Sequence, residues 1–173
     1  MNRFDRIAGG YLLAALILLA ILAWPSQGWS RTAGRGCPLT ADVDALLKNW
    51  GEMLKRSTPS DPSPIVGTYE PKNAVLLPTC ANGPSVGEGQ ITDYFKIFLK
   101  DRPEVEFKRR FIGGDCTIAF ASGTYIFTLL KRGGQKLSAR YTYVFEHRNA
   151  QWLIVQHHSS LELEPPQACP PKQ

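Results

Sequence analysis

The sequence contains no C-x-x-C pair and no H-x-x-x-H pair, and only 3 histidines in 173 residues. Those gaps leave no zinc site of the common kinds to read, because such sites draw their ligands from close pairs along the chain. No acidic residue is tied in order to Ser159, Ser160 and the histidines, so a Ser-His-Asp nucleophile has no visible machinery. There is no internal repeat and no heptad pattern, which argues against a solenoid or a coiled coil. Charge of one sign is also sparse: 20 Lys and Arg against 15 Asp and Glu give a net +5. The small clusters Lys108-Arg109-Arg110 and Lys131-Arg132 are what solvated strand ends and turns carry, and nucleic acid is not an expected partner. The residues call for no metal and no cofactor.

What is present begins with an apolar run, Tyr11 to Trp24. Arg3 and Arg6 precede it, Pro25 breaks it, and Gly28 and Ser30 stand at −3 and −1 of a cleavage point before Arg31. That is the three-part layout of a secretory signal peptide. The run falls short of the roughly 20 residues that span a hydrocarbon core; an uncleaved N-terminal anchor is the alternative, and only then is the membrane a partner. On either reading residues 1–30 are set apart and the rest of the chain is exported, periplasmic or secreted. In an oxidising compartment Cys37, Cys80, Cys116 and Cys169 are expected to form disulfides. Cys80 with Cys116 is favoured, since each sits where a predicted strand meets a turn; Cys37 with Cys169 would then staple the two ends of the domain.

Thr40 can cap a helix running to about Arg56, with Val43, Leu46, Leu47, Trp50 and Leu54 as its buried stripe. Ser63-Pro64 reads as an N-cap followed by proline, opening a single turn that reaches Tyr69. Ala74 to Thr79 reads as a buried strand, and Asn82 to Gly89 as turn. A second helix from about Glu88 to Lys100 points Ile91, Tyr94, Phe95, Phe98 and Leu99 inward. Strands follow at about 105–112 and 116–130, where Gly123 marks a bulge or bend. The runs from Ala139 to Ser160, broken at Arg148-Asn149-Ala150-Gln151, predict a long antiparallel hairpin. Tyr141, Tyr143 and Phe145 alternate and so share one face. Residues 162–173 form a Pro-rich tail. The order of elements is α+β: a curved antiparallel sheet with helices on one face, enclosing a cone with an open mouth. The other face, carrying Arg140, Thr142, Val144 and Glu146, is mixed in polarity, and a sheet covered on one side commonly meets a second copy on the other.

Three segments carry a resemblance: AVLLPTCAN with ITDYFKIFLKDRP, ASGTYIFT, and Ala139–Ser160. Over residues 39–161 they resemble the association, or hub, domain of calcium/calmodulin-dependent protein kinase II. Closer still are its stand-alone bacterial relatives of the SgcJ/EcaC type, in the NTF2-like superfamily. The resemblance implies an NTF2-like cone that forms homo-oligomers through its sheet, dimer or larger, with a pocket in each cone for a small-molecule ligand. It does not imply kinase activity, since no glycine-rich loop, catalytic lysine or H-R-D segment is present. The departures bear on the pocket. Hub arginines that hold carboxylates correspond here to Tyr143 and to a position near Ser122, and Arg140 lies on the opposite strand face. Gln156 replaces the first histidine of the hub's H-x-H, and His157 is added.

His157 and His158 point to opposite faces and are the candidates for a general base; a hydrogen-bonded structural histidine is the plainer reading. Trp50, Tyr69, Tyr94, Tyr141 and Tyr143 are candidates to line a ligand pocket, or core aromatics that need no ligand. Arg140, Thr142 and Val144 are interface candidates. Asp93, among apolar neighbours on the second helix, falls on its outer face. A small pocket enzyme, an isomerase, lyase or SgcJ/EcaC-type oxidoreductase using a histidine with tyrosine donors, is the alternative function.

Overall fold

The computed structural model describes residues 39–79 and 81–162. The first helix, α1 (Leu39–Arg56), buries Val43, Leu47, Trp50 and Leu54, which recur every three or four residues, with Leu46 at the edge of the stripe. Because the helix already begins at Leu39, Thr40 lies inside its first turn and not ahead of it. A single turn, α2 (Ser63–Val66), holds Pro64 at its start, where the fixed φ of proline fits. Ser63 is itself helical and does not cap the turn; its hydroxyl donates to Asp61 Oδ1 at 2.6 Å. The turn stops at Val66, and Tyr69 lies beyond it in a segment bridged in parallel to Ile154.

The expected strand at 74–79 shortens to β1 (Val75–Leu77), with Ala74, Leu76 and Pro78 buried and Leu77 facing outward; Pro78 has no N–H to extend the ladder. Sequence reasoning passed over β2 (Ser85–Val86), two residues inside the stretch read as turn. Gly87 then opens α3 (Gly87–Phe98) at φ +70°, and a Cβ there would come within 2.9 Å of the Lys72 carbonyl oxygen. A 3-10 turn, Leu99–Asp101, ends the helix. The remaining strands are β3 (Pro103–Gly114), β4 (Ile118–Leu129), β5 (Gln135–Arg148) and β6 (Gln151–Leu161).

The six strands make one sheet in the order β2-β1-β6-β5-β4-β3. Neighbours are antiparallel with one exception: β1 runs parallel to β6. Asn149 and Ala150, at φ +50° and +61°, form the two-residue turn between β5 and β6, the mirror-image geometry that suits the twist of a tight hairpin. Among the described residues the helices lie on one face only. There Trp50 meets Phe107 edge-on at 6.4 Å, and Phe98 meets Phe127 at 5.3 Å. The fold is α+β, as the order of elements implied.

Two irregularities set which side chains reach that inner face. Between Phe107 and Arg110, β3 carries one residue more than β4. Gly123 lies opposite this bulge, and a Cβ on it would sit 1.8 Å from the Arg109 carbonyl oxygen, so only glycine lets the two strands close there. The Tyr141 hydroxyl donates to that same carbonyl at 3.3 Å. The second irregularity is in β6. Phe145 pairs with Ile154 but Val144 pairs with Gln156, which leaves Val155 as the extra residue.

Residues 1–38 and 163–173, with the leader or anchor and the Pro-rich tail read there, lie outside the described residues. Cys37, Cys80 and Cys169 also do. Cys116, in the β3–β4 turn, is disulfide-bonded, and its pairing with Cys80 stands as a proposal. No helix among the described residues is long and apolar enough to cross a membrane.

Gly123→Ala is expected to lower stability by about 2–3 kcal/mol, the cost of overpacking a closed backbone contact. Chemical denaturation measures it. A change below about 0.5 kcal/mol would mean that β3 can move away without loss.

Candidate functional site

The bulge at Val155 decides the chemistry of the inner face. Before it, Ile154 points inward opposite Phe145; after it, His157 and Ser159 point inward opposite Tyr143 and Tyr141. A regular strand would carry the alternation through Gln156, His158 and Ser160 instead. His157 is therefore 3% exposed, whereas His158 is exposed on the outer face beside Thr142.

His157 is gripped on several sides. Its ring stacks on Tyr143 at 4.0 Å and meets Trp50 edge-on at 5.5 Å. The Tyr69 hydroxyl lies 2.8 Å from His157 Nδ1, and Trp50 Nε1 donates to that hydroxyl at 3.2 Å. Tyr69 is held in place because Ile154 N–H donates to the Thr68 carbonyl and Glu70 N–H to the Ile154 carbonyl, both at 2.9 Å. Glu70 anchors the same segment: its Oε2 accepts the Asn73 N–H at 2.6 Å, which holds the carboxyl below its ordinary range, and Arg148 stands 3.8 Å from Oε1.

Burial pushes the His157 imidazole down to about 3, and the neighbouring His158 adds to the effect. The ring is thus uncharged at neutral pH. Tyr69 already accepts from Trp50, so its own proton has one acceptor within reach among the described residues, His157 Nδ1. That arrangement places the imidazole proton on Nε2, which has no partner among the described residues. Burial also raises the tyrosines: Tyr141 up to about 12, and Tyr69, Tyr125 and Tyr143 well above their ordinary value. All stay protonated, and the Tyr143 hydroxyl, like Nε2, has no partner among the described residues.

Beside this cluster lies a cavity of about 330 Å³, room for roughly ten water molecules at about 30 Å³ each. Trp50, Phe95, Phe98, Phe127, Leu129 and Leu137 supply apolar wall, and His157 forms part of it. Three hydroxyls converge on the cavity: Tyr125 donates to Ser159 Oγ at 2.5 Å, and Ser159 Oγ is hydrogen-bonded to Thr79 Oγ1. Lys100, Asp101 and Arg132 also line it, and the last two form an ion pair at 2.7 Å.

Of the pocket candidates, Trp50 and Tyr94 line this cavity. Tyr69 and Tyr143 flank His157 behind the wall, and Tyr141 turns its hydroxyl toward the β3 bulge. Thr79 and Tyr125 were missed. Tyr125 was findable, since it alternates with Ala119, Ala121, Phe127 and Leu129, all buried. Arg140, Thr142 and Val144 lie on the outer sheet face, with Ser122 hydrogen-bonded to Thr142 at 3.2 Å. Asp93 is exposed and paired with Lys96. Among the described residues no group of His, Cys, Asp and Glu is placed to hold a metal.

Residues 40–162 match the model of the calcium/calmodulin dependent protein kinase II association domain. The chain belongs to that family. A Xanthomonas campestris protein, named as a candidate association domain of this kind, is 36% identical and superposes with a TM-score of 0.65; the match covers 71% of this chain and 87% of that one. Two other likenesses show the fold alone. An NTF2-like protein of unknown function from Shewanella oneidensis is 21% identical over 70% of this chain and 98% of its own, with a TM-score of 0.58. A protein from Parabacteroides distasonis, named as a candidate ketosteroid isomerase, is 18% identical over 78% of this chain and 94% of its own, with a TM-score of 0.56. No curated protein matches. Tyr143 is buried on the inner face of the sheet, and Ser122 and Arg140 lie on the outer one.

The neutral state of His157 has a consequence for stability. Its folded value, about 3, lies below the unfolded 6.5. Between those values the unfolded chain binds the extra proton, so stability is full above about pH 6.5 and falls as pH drops. The slope reaches up to about 1.4 kcal/mol per pH unit. Denaturation free energies measured between about pH 6 and 5, above the carboxylate range, are expected to decline for the native protein and to flatten by about 1 kcal/mol per unit in His157→Gln. Equal slopes in the two proteins would place a charged or solvated imidazole in the fold.

Proposed function

We propose that the protein is an exported, non-catalytic association-type module that binds a second copy of itself through the uncovered sheet face and holds a small molecule in its cone. The observation that carries the first part is the pattern on that face. Phe111 is 67% exposed, Phe120 43% and Ile118 40%, and the strand register sets them beside Ser122, Val144 and Glu146. Farther along the same face, Val144 pairs with Gln156, Gln156 with Val75, and Val75 with Val86, itself 43% exposed. Large apolar side chains in adjacent rows, rimmed by Arg140, His158 and Glu146, have the make-up of an interface centre and its polar edge. Membership of a family named for association supports a like partner.

The enzyme reading is weaker. A general base works best with a pKa near the working pH, and burial takes His157 far below it. His158 stands outside the cone. Export rests on the N-terminal layout of basic residues, apolar run and small residues, together with the four cysteines.

Light scattering on the purified full chain is expected to give twice the chain mass or more, and Phe120→Glu to shift it to the monomer while circular dichroism stays unchanged. A native monomer at high concentration, or an assembly indifferent to a charge at 120, would contradict the interface. Fractionation of the same cells is expected to find the protein outside the cytoplasm; a cytosolic pool with all four thiols titratable would contradict export.

A further inference from the structure

The polar equipment of the cone is one-sided. Tyr125 donates to Ser159, and Ser159 and Thr79 share one further hydrogen bond. Three hydroxyl protons thus serve two bonds, so whichever of Ser159 and Thr79 donates to the other, one O–H is left without an acceptor among the described residues. Ser159 is 6% exposed, and all three hydroxyl residues line the cavity. Two residues earlier on the same inner face of β6, His157 forms part of the same wall and holds an Nε2–H that nothing in the described residues accepts. These donor groups therefore gather on one wall of a space lined elsewhere by aromatic and aliphatic side chains and by Lys100, Asp101 and Arg132.

No cation accompanies them. His157 is neutral and the tyrosines are protonated. Among the cavity residues the cations are Lys100 and Arg132, both exposed, and Arg132 is paired with Asp101. A carboxylate driven to the hydroxyl end would be stripped of water with no opposite charge to meet it. A carbonyl oxygen, with two lone pairs and no charge, matches what is there.

We propose that the cone takes a small, uncharged, largely apolar molecule with a carbonyl-type acceptor oxygen, bound oxygen-inward against the Ser159–Thr79 hydroxyls. This rests on the reading of the cone as a ligand pocket. The ligand's body packs on Trp50, Phe98 and Phe127, and its oxygen takes up the unspent hydroxyl proton.

Three probes of one shape separate the possibilities: 4-phenyl-2-butanone, butylbenzene and 3-phenylpropanoate, titrated into the full-length protein and followed by NMR. The ketone is expected to bind about fivefold tighter than the hydrocarbon, as one added hydrogen bond allows, and about tenfold tighter than the carboxylate. Ser159→Ala should weaken the ketone about fivefold and leave butylbenzene within about twofold; Thr79→Val serves the same purpose should Ser159→Ala not fold. A carboxylate that binds as well as the ketone overturns the assignment, as does a ketone no better than butylbenzene, or an equal loss for both in the variant. Binding by none of the three would remove the ligand-pocket reading as well, and the oligomeric state would stand unaffected by either result.

Discussion

One extra residue in β6 governs which side chains of that strand enter the cone. With Val155 unpaired, the alternation set by Ile154 is reversed, so that His157 and Ser159 are enclosed and His158 and Ser160 face out. The enclosed pair then meets partners brought from elsewhere. Tyr69 arrives on the segment bridged to Ile154, Trp50 on the stripe of α1, Thr79 beyond the end of β1, and Tyr125 from the middle of β4. A one-residue change of register would put Gln156 and His158 among the aromatic rings, with neither a Tyr69 contact nor a hydroxyl chain to receive them.

The same alternation builds the opposite face. Each inward residue of β4 and β5 has an outward neighbour: Ala119 and Ala121 flank Phe120, and Tyr143 and Phe145 flank Val144. Among the described residues helices cover only the inner side, and the outward row carries exposed apolar groups. The cone and the exposed outer face are thus two products of one pleated sheet, and the bulges in β3 and β6 keep both in step. The inner end of the cone is polar without being charged, and the outer face is apolar with charges at its rim. Those are different demands, and the proposed partners answer to them separately: a small neutral molecule inside, a second copy outside.

The elements with strong periodicity were legible. Four residues of the α1 stripe, the inner positions Ile91 and Phe95 of α3 with Leu99 of the 3-10 turn that follows it, and the long hairpin turning at Asn149-Ala150 are where the spacing of apolar residues puts them. Gly123 was legible as a point of irregularity, although the extra residue sits in β3, across from it. The rest depended on contacts between distant segments. Two residues of β2 carry too little pattern to show, and the parallel pairing of β1 with β6 joins positions about eighty apart. Val155 continues an apolar run without any turn residue to announce a bulge. The sequence could therefore say that His157 and His158 face opposite ways, and only the register could say which one is inside.

The state of the His157 ring tests this account most directly. With its histidines labelled in 15N, the protein should show one imidazole protonated at Nε2, bare at Nδ1 and silent to titration over roughly pH 8 to 4.5, its signal lost in His157→Gln. A His157 that titrates near the ordinary histidine value, or carries its proton on Nδ1, would place that side chain outside the enclosed, tyrosine-held position and would contradict the register on which both faces depend.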